Sequence, residues 1–400
     1  MPDTAPDTPS AHTPGATPDA PGQQATDTAP FTPSAPAPGL TPDAPGGHAT
    51  VLSGAARLAA VGRVRLVRRR GRARVAVVTG GLLLVVLAAF CLSLATGDIS
   101  VPLADVLATL VGGGDPGTRF VVIELRLPRA LLAILVGVCF GLSGAVFQAL
   151  LRNPLASPDV IGVSSGASAF AVLAGLFLGV GGLSLSAVVL GGAVLTGAAI
   201  YLLAWRQGVT GYRLVLVGIG VGTGLSSIVS YTMTRSDVTE AQNAFLWLTG
   251  SLNGRSWPNF WPLLISAAVL LPLTFAAARA LPALQLGDET AGGLGTRVER
   301  SRLALLACAT ALAGVATASA GPVAFVAFVS APIARRLVPG RGPALLPSAV
   351  TGAAVVLLAD YAAQRVLPGT QLPVGVVTSV VGAPYLLWLL ARANRAGRGG

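Results

Sequence analysis

Residues 57–95 read RLAAVGRVRLVRRRGRARVAVVTGGLLLVVLAAFCLSLA. Eight arginines fall between Arg57 and Arg74, and an uninterrupted apolar run, Val75–Ala95, follows. At about 1.5 Å per helical residue that run covers the roughly 30 Å of a bilayer's hydrocarbon core. A basic block abutting such a run is the mark of a cytoplasmic helix end. The rest of the chain repeats the theme, since 53% of its residues are hydrophobic, 11% are charged and its mean hydropathy is +0.72. These values lie far from those of soluble domains. They predict an all-α polytopic membrane protein, with spans near 75–96, 127–149, 159–179, 183–205, 212–234, 258–280, 302–321, 323–338, 345–366 and 373–391.

Ten crossings put both termini on one side. Charge tests that side independently, because every one of the 27 basic residues is arginine. With the N-terminus inside, 21 arginines fall in cytoplasmic segments and six (Arg119, Arg126, Arg129, Arg235, Arg255 and Arg365) fall outside, as the positive-inside rule requires. Both termini are therefore expected on the cytoplasmic face of the cell (inner) membrane. The organisation reads as a Pro/Thr/Ala/Asp-rich tail (1–56), a basic juxtamembrane segment (57–74), a transmembrane domain (75–391) and a basic tail (392–400). The first tail repeats TPDAPG at 17–22 and 41–46. It has too few apolar residues to bury a core, which predicts disorder.

Several chemistries are excluded. A P-loop needs a lysine to reach the phosphates, and the chain has none. Both histidines, His12 and His48, lie in the tail, so the membrane body offers no base for a serine or cysteine nucleophile. Cys91, Cys139 and Cys308 are too scattered for a zinc site or a disulfide framework. The net charge of +11 is distributed along helix ends, so the basicity sets topology and does not imply nucleic acid. No catalytic, cofactor or metal residues are expected. Asp360 is the one acid clearly inside a span, read either as a proton relay or as a structural pair with Arg365 a turn further on.

Three loops are richer than topology requires. Leu125-Arg-Leu-Pro-Arg129 sets two arginines on the arginine-poor outer side, where guanidinium groups suit carboxylate recognition or interfacial snorkelling. Arg152-Asn-Pro-Leu-Ala-Ser-Pro-Asp159 holds non-helical backbone at the inner membrane edge; it reads equally as a gate or a rigid turn. Leu281–Gly295 reads as two short helices broken by glycine, with Leu284 and Leu286 apolar and Asp288 and Glu289 near a helix start. Exposed leucines on such a loop suit a partner's groove.

The chain from about 75 to 391 resembles the permease subunits of ABC importers for iron–siderophore complexes and vitamin B12, the FecCD family. The resemblance rests on LRLPRALLAILVG (125–137), SGAVFQALLRNPLASPDVIGVSSGAS (143–168), LGDETAGGLG (286–295), AGPVAFVAFVSAPIARRLV (320–338) and LPVGVVTSVVGAPYLLWLL (372–390). It implies a type II ABC importer architecture of about ten helices, paired with a second permease subunit, two cytoplasmic ATPases that bind the ATP, and an extracytoplasmic siderophore-binding protein. By resemblance Arg126 and Arg129, with Arg365 nearby, receive acidic groups of the binding protein. Asn153, Pro154 and Leu155, with Thr210, Gly211 and Tyr212, fall at the cytoplasmic gate. Leu284, Leu286, Gly287, Asp288, Glu289, Leu294 and Gly295 fall in the coupling loop at 281–295.

The chain departs from the family pattern at Gln364, where a docking arginine is usual, and at Gln371, where Glu is usual. Ala331-Pro332 replaces a Pro-His or Pro-Gln pair. Trp247–Trp257 looks like the ferric enterobactin-type permeases, which leans the cargo toward catecholate siderophores. Vitamin B12 or haem is the alternative cargo. A self-sufficient secondary transporter needs paired intramembrane ionisable residues or broken half-helices, and only Asp360 answers to that.

Overall fold

The structure, a computed structural model, describes residues 54–97, 99–206, 211–338, 342–367 and 369–397. The expectations for tail residues 1–53 and for Thr210 fall outside the described residues. Of the two units into which the chain divides, Met1–Ala59 and Ala60–Gly400, the second carries the architecture below.

Among the described residues every regular element is a helix. In chain order they are α1 (Gly54–Ala95), α2 (Leu103–Leu110), α3 (Pro116–Arg119), a π-helical stretch (Phe120–Arg126), α4 (Leu127–Leu150), α5 (Val163–Leu178), α6 (Gly182–Ala204), α7 (Gly211–Arg235) and α8 (Val238–Leu248). There follow α9 (Trp257–Ala277), a 3₁₀ turn (Ala278–Ala280), α10 (Leu281–Leu284), α11 (Asp288–Gly293), α12 (Val298–Ala320), α13 (Val326–Leu337), α14 (Leu345–Ala363) and α15 (Val374–Gly397). Ten of these answer one for one to the ten expected spans. Eight are long and apolar enough to cross a membrane, whereas α5 has 16 residues and α13 has 12. Twelve residues rise only about 18 Å, so α13 does not cross by itself. Gly321-Pro322 breaks the chain ahead of it, and Phe325 enters α13 in left-handed backbone.

Burial separates a centre from a periphery. The most apolar stretches of α4 and α12 are each 78% buried and that of α14 is 67% buried, against 22% for α7, α9 and α15. A helix apolar all round and still exposed is suited to lipid or to a partner. Where α4 crosses α14 the backbones touch: a Cβ on Gly137 would lie 2.3 Å from the Gly352 carbonyl oxygen, and one on Gly352 would lie 2.1 Å from that of Gly137. Gly144 meets α13 in the same way, its absent Cβ 1.8 Å from the Ala327 oxygen. Close approach of this kind is how helices associate in lipid, where hydrophobicity offers no driving force between them.

The start of α4 is built to be rigid. Pro128 occupies its first turn, where a missing N–H costs nothing, and Trp257 at the head of α9 donates its indole N–H to Ile123 at 3.1 Å. Opposite it, α9 opens on a capping box between Ser256 and Asn259. These contacts hold the segment that carries Arg126 and Arg129.

Gly352→Ala is expected to destabilise the protein by about 1–3 kcal/mol, because the added methyl meets a backbone that cannot yield. Gly80→Ala on α1 meets nothing within 4 Å and is expected to be neutral or slightly stabilising. Thermal unfolding in detergent compares them, and equal melting temperatures would reject the close crossing.

Candidate functional site

The residues expected outside and inside gather at opposite ends of α4, whose 24 residues span about 36 Å. At its N-terminal end Arg126, Arg129 and Arg365 line one cavity of about 290 Å³ together with Asp360, Gln364 and Gln371. The three arginines differ in what they hold. Arg129 donates from Nε to both Asp360 oxygens at 3.2 and 3.0 Å, and from Nη2 to Asp360 Oδ1 at 2.9 Å. It also reaches Gln371 Oε1 at 2.9 Å and Asn253 Oδ1 at 2.7 Å. Its side chain is 13% exposed and that of Asp360 3%. Arg129 therefore ties α4 to α14, to the turn before α9 and to the irregular lead into α15. The arginine expected to face a docking protein thus has its donors engaged within the protein.

Arg126 donates to the carbonyls of Leu94, at 2.7 Å, and Ile99. Arg365 lies 3.8 Å above the Tyr361 ring, donates to the Tyr361 carbonyl at 3.1 Å and reaches the Thr96 hydroxyl. The pairing of Asp360 with Arg365 considered from sequence is thus replaced by Asp360 with Arg129. Arg365 lies two residues past the end of α14, in a turn closed by its N–H on the Ala362 carbonyl at 2.9 Å, and its guanidinium goes to Tyr361 and Thr96 instead. Gln364, at the position usually held by an arginine, donates instead to Asp360 Oδ2 at 2.8 Å. Arg255, in the turn before α9, has its pKa lowered by desolvation but stays cationic as arginine does.

At the other end lie the positions expected at a gate, Asn153 to Leu155 just past α4 and Gly211 and Tyr212 at the start of α7. Gly211 lies against Leu151, whose side chain and carbonyl would each be 3.4 Å from a Cβ there. Asn153 closes the intervening turn: its Oδ1 accepts the Leu155 N–H at 2.9 Å and its carbonyl accepts the Ala156 N–H at 3.1 Å, an Asx-type turn. Pro154 and Tyr212 are exposed, Tyr212 at 81%.

The segment expected to couple to an ATPase, Leu281–Gly295, forms two short helices, α10 and α11, joined through Gly287. Leu286 and Leu294 are exposed at 62% and 65%, and Glu289 is exposed beside Asp288, Gly287 and Gly295 at the two turns. Leu284 corrects the expectation. It is 5% exposed and packs with Leu281 in the protein's own core, because residues three apart on a helix share a face. It is not available to a partner. Sequence also missed the polar links of this end: Arg152 Nη2 to the Leu284 carbonyl at 2.6 Å, Arg302 to Asp288 at 2.9 Å, and the Tyr201 hydroxyl to Glu299 at 2.9 Å. Arginines flanking a Pro-rich turn were the available signal. Among the described residues no three His, Cys, Asp or Glu side chains converge as a metal site.

Removing one partner of a buried ion pair leaves the other uncompensated, so Arg129→Ala is expected to cost about 3–5 kcal/mol. Arg365→Ala, which loses a ring contact and neutral acceptors, is expected to cost about 1 kcal/mol. Thermal unfolding of both variants decides, and equal losses would remove Arg129 from its structural role.

Known proteins place the chain. Residues 83–392 match the FecCD transport family. The ferric enterobactin transport system permease protein FepG of Escherichia coli (strain K12) is 40% identical over 307 residues, covering 76% of this chain and 92% of that protein. The achromobactin transport system permease protein CbrC of Dickeya dadantii (strain 3937) is 40% identical over 320 residues, covering 78% and 90%. The iron(3+)-hydroxamate import system permease protein FhuG of Bacillus subtilis (strain 168) is 38% identical over 320 residues, covering 78% and 95%. Among solved structures, a metal-chelate type ABC transporter in an inward-facing conformation superposes with a TM-score of 0.68 at 29% identity, covering 78% of this chain and 98% of that one. The fold, its helices of membrane-spanning length and these likenesses agree: the chain is a multi-pass membrane permease belonging to the FecCD transport family.

Proposed function

We propose that the chain forms, with a second permease subunit, the pathway of an ATP-driven importer that takes ferric siderophore complexes into the cytoplasm. The observation that carries this reading is the separation, along α4, of an arginine-lined cavity from a segment that exposes Leu286 and Leu294. One end suits a docking protein with acidic groups, the other a partner's apolar groove. The excess of arginine on the second side supports a cytoplasmic location for that end and for both termini.

The names of the relatives, ferric enterobactin, achromobactin and iron(3+)-hydroxamate permeases, support iron chelates as cargo. FepG and the Trp247–Trp257 stretch lean it toward catecholates. Iron travels inside its chelate, so the permease needs no ligands of its own. Energy comes from two separate cytoplasmic ATPases, and a binding protein delivers the cargo to the face bearing Arg126 and Arg365. Alternating opening of the two ends then moves a large chelate past small and apolar side chains, which offer few fixed contacts to trap it.

Reconstitution in proteoliposomes with an ATPase and a binding protein is expected to give vanadate-sensitive uptake of labelled ferric enterobactin. Uptake that persisted with no ATPase present would overturn the reading. Arg126→Glu and Arg365→Glu are each expected to weaken binding-protein affinity about tenfold or more, most strongly at low salt. Unchanged affinity in both would reject this docking face.

A further inference from the structure

The coupling segment is tied to the bundle on either side of Gly287, and the two ties differ. On the α11 side, Arg302 Nη2 donates to both Asp288 oxygens at 2.9 and 3.0 Å, and its Nη1 reaches Glu299 at 3.4 Å. Glu299 in turn accepts the Tyr201 hydroxyl at 2.9 Å. That network fastens α11 to α12 and to the end of α6. On the α10 side the tie runs to the gate loop itself: Arg152 Nη2 donates to the carbonyl of Leu284, the last residue of α10, at 2.6 Å.

Arg152 stands directly before Asn153-Pro154-Leu155 in left-handed backbone, at a φ of 50°. A side chain is rarely held there unless its surroundings require it. The turn that follows is closed by Asn153, so displacement of Arg152 moves a compact unit and not a slack chain. Gly287 has a φ of 109°, a conformation open to glycine, and a Cβ there would meet nothing within 4 Å. It can act as a hinge between the two tied halves.

We propose that Arg152 is the positioning residue that carries motion of the coupling segment to the inner gate loop. This rests on the importer reading above. A partner pressing on exposed Leu286 displaces the end of α10, and the charged hydrogen bond to its terminal carbonyl moves the Asn153 turn with it. The link acts through the gate residues and not on the cargo.

Two readouts test it. In proteoliposomes holding the complete complex, uptake of labelled ferric enterobactin and ATP hydrolysis are measured separately. Arg152→Ala is expected to lower the cargo moved per ATP at least roughly tenfold with hydrolysis within about twofold of wild type, and Arg152→Lys, which keeps a cationic donor, to restore part of it. Equal falls in uptake and hydrolysis, or an unchanged ratio, would overturn the proposal. The second readout needs no partner: hydrogen exchange of the purified chain in nanodiscs. Arg152→Ala is expected to speed exchange at Leu155 and Ala156 and also at Leu286 and Gly287, whose N–H groups close the two turns. Faster exchange in one segment alone would overturn the link even where the variant complex does not assemble. A wild-type chain that transports without an ATPase would defeat the importer reading and leave the exchange result to stand by itself.

Discussion

Backbone meets backbone where α4 crosses α14, and much of the molecule is arranged by that contact. Two apolar helices gain nothing hydrophobic by meeting in lipid, since acyl chains are as apolar as leucine. What favours the pair is dense atomic contact, each part small and the sum large. Gly137 and Gly352 permit it by leaving carbonyl oxygens where a Cβ would stand. The crossing also sets the level at which charges meet. Arg129 precedes Gly137 by eight residues, and Asp360 follows Gly352 by eight. In helices running in opposite directions, equal steps of about 12 Å from a shared crossing bring the two side chains side by side.

The ion pair is consequently more than a surface contact. Asp360 is almost wholly withdrawn from solvent, and Arg129 spends its donors on Asp360, Asn253 and Gln371. A buried pair with its remaining lone pairs satisfied holds geometry, although its net contribution to stability is small against an apolar alternative. Here it registers four segments that are distant in sequence at one mouth of the bundle. Gln364 completes the carboxylate's shell, a role suited to a neutral amide and unsuited to a cation meant to face a partner. Arg126 and Arg365 hang at the margin of the cavity that this registration creates.

Hydropathy and arginine distribution were enough to expect the ten helices, because both follow from the cost of burying charge in hydrocarbon. The two short helices about Gly287 were also legible, from a proline, a glycine and paired acids at a helix start. The fate of particular side chains was not. Leu284 and Leu286 look alike in sequence, and only the rotation of a one-turn helix sends one inward and the other outward. Asp360 lies five residues from Arg365 and 231 from Arg129; the nearer cation is the obvious partner until the crossing of α4 and α14 is known. The link from Arg152 to Leu284 joins residues 132 apart through a main-chain carbonyl, a kind of acceptor that every residue carries and that no motif announces.

The burial of α4 also bears on how freely it can move. Held by α12, α13 and α14, it is poorly suited to slide, since interiors packed through backbone contact do not deform by degrees. At its C-terminal end, Leu151 and Arg152 are the residues at which the helix gives way to a turn in left-handed backbone. The Asn153 turn begins at that point, at the end of α4 remote from Arg129 and Asp360. The helices with exposed flanks, α7, α9 and α15, lie outside that packed centre, and α15 follows closely on Gln371, which Arg129 holds. Thus α4 stands at the packed centre of the bundle, with the more exposed helices arranged around it.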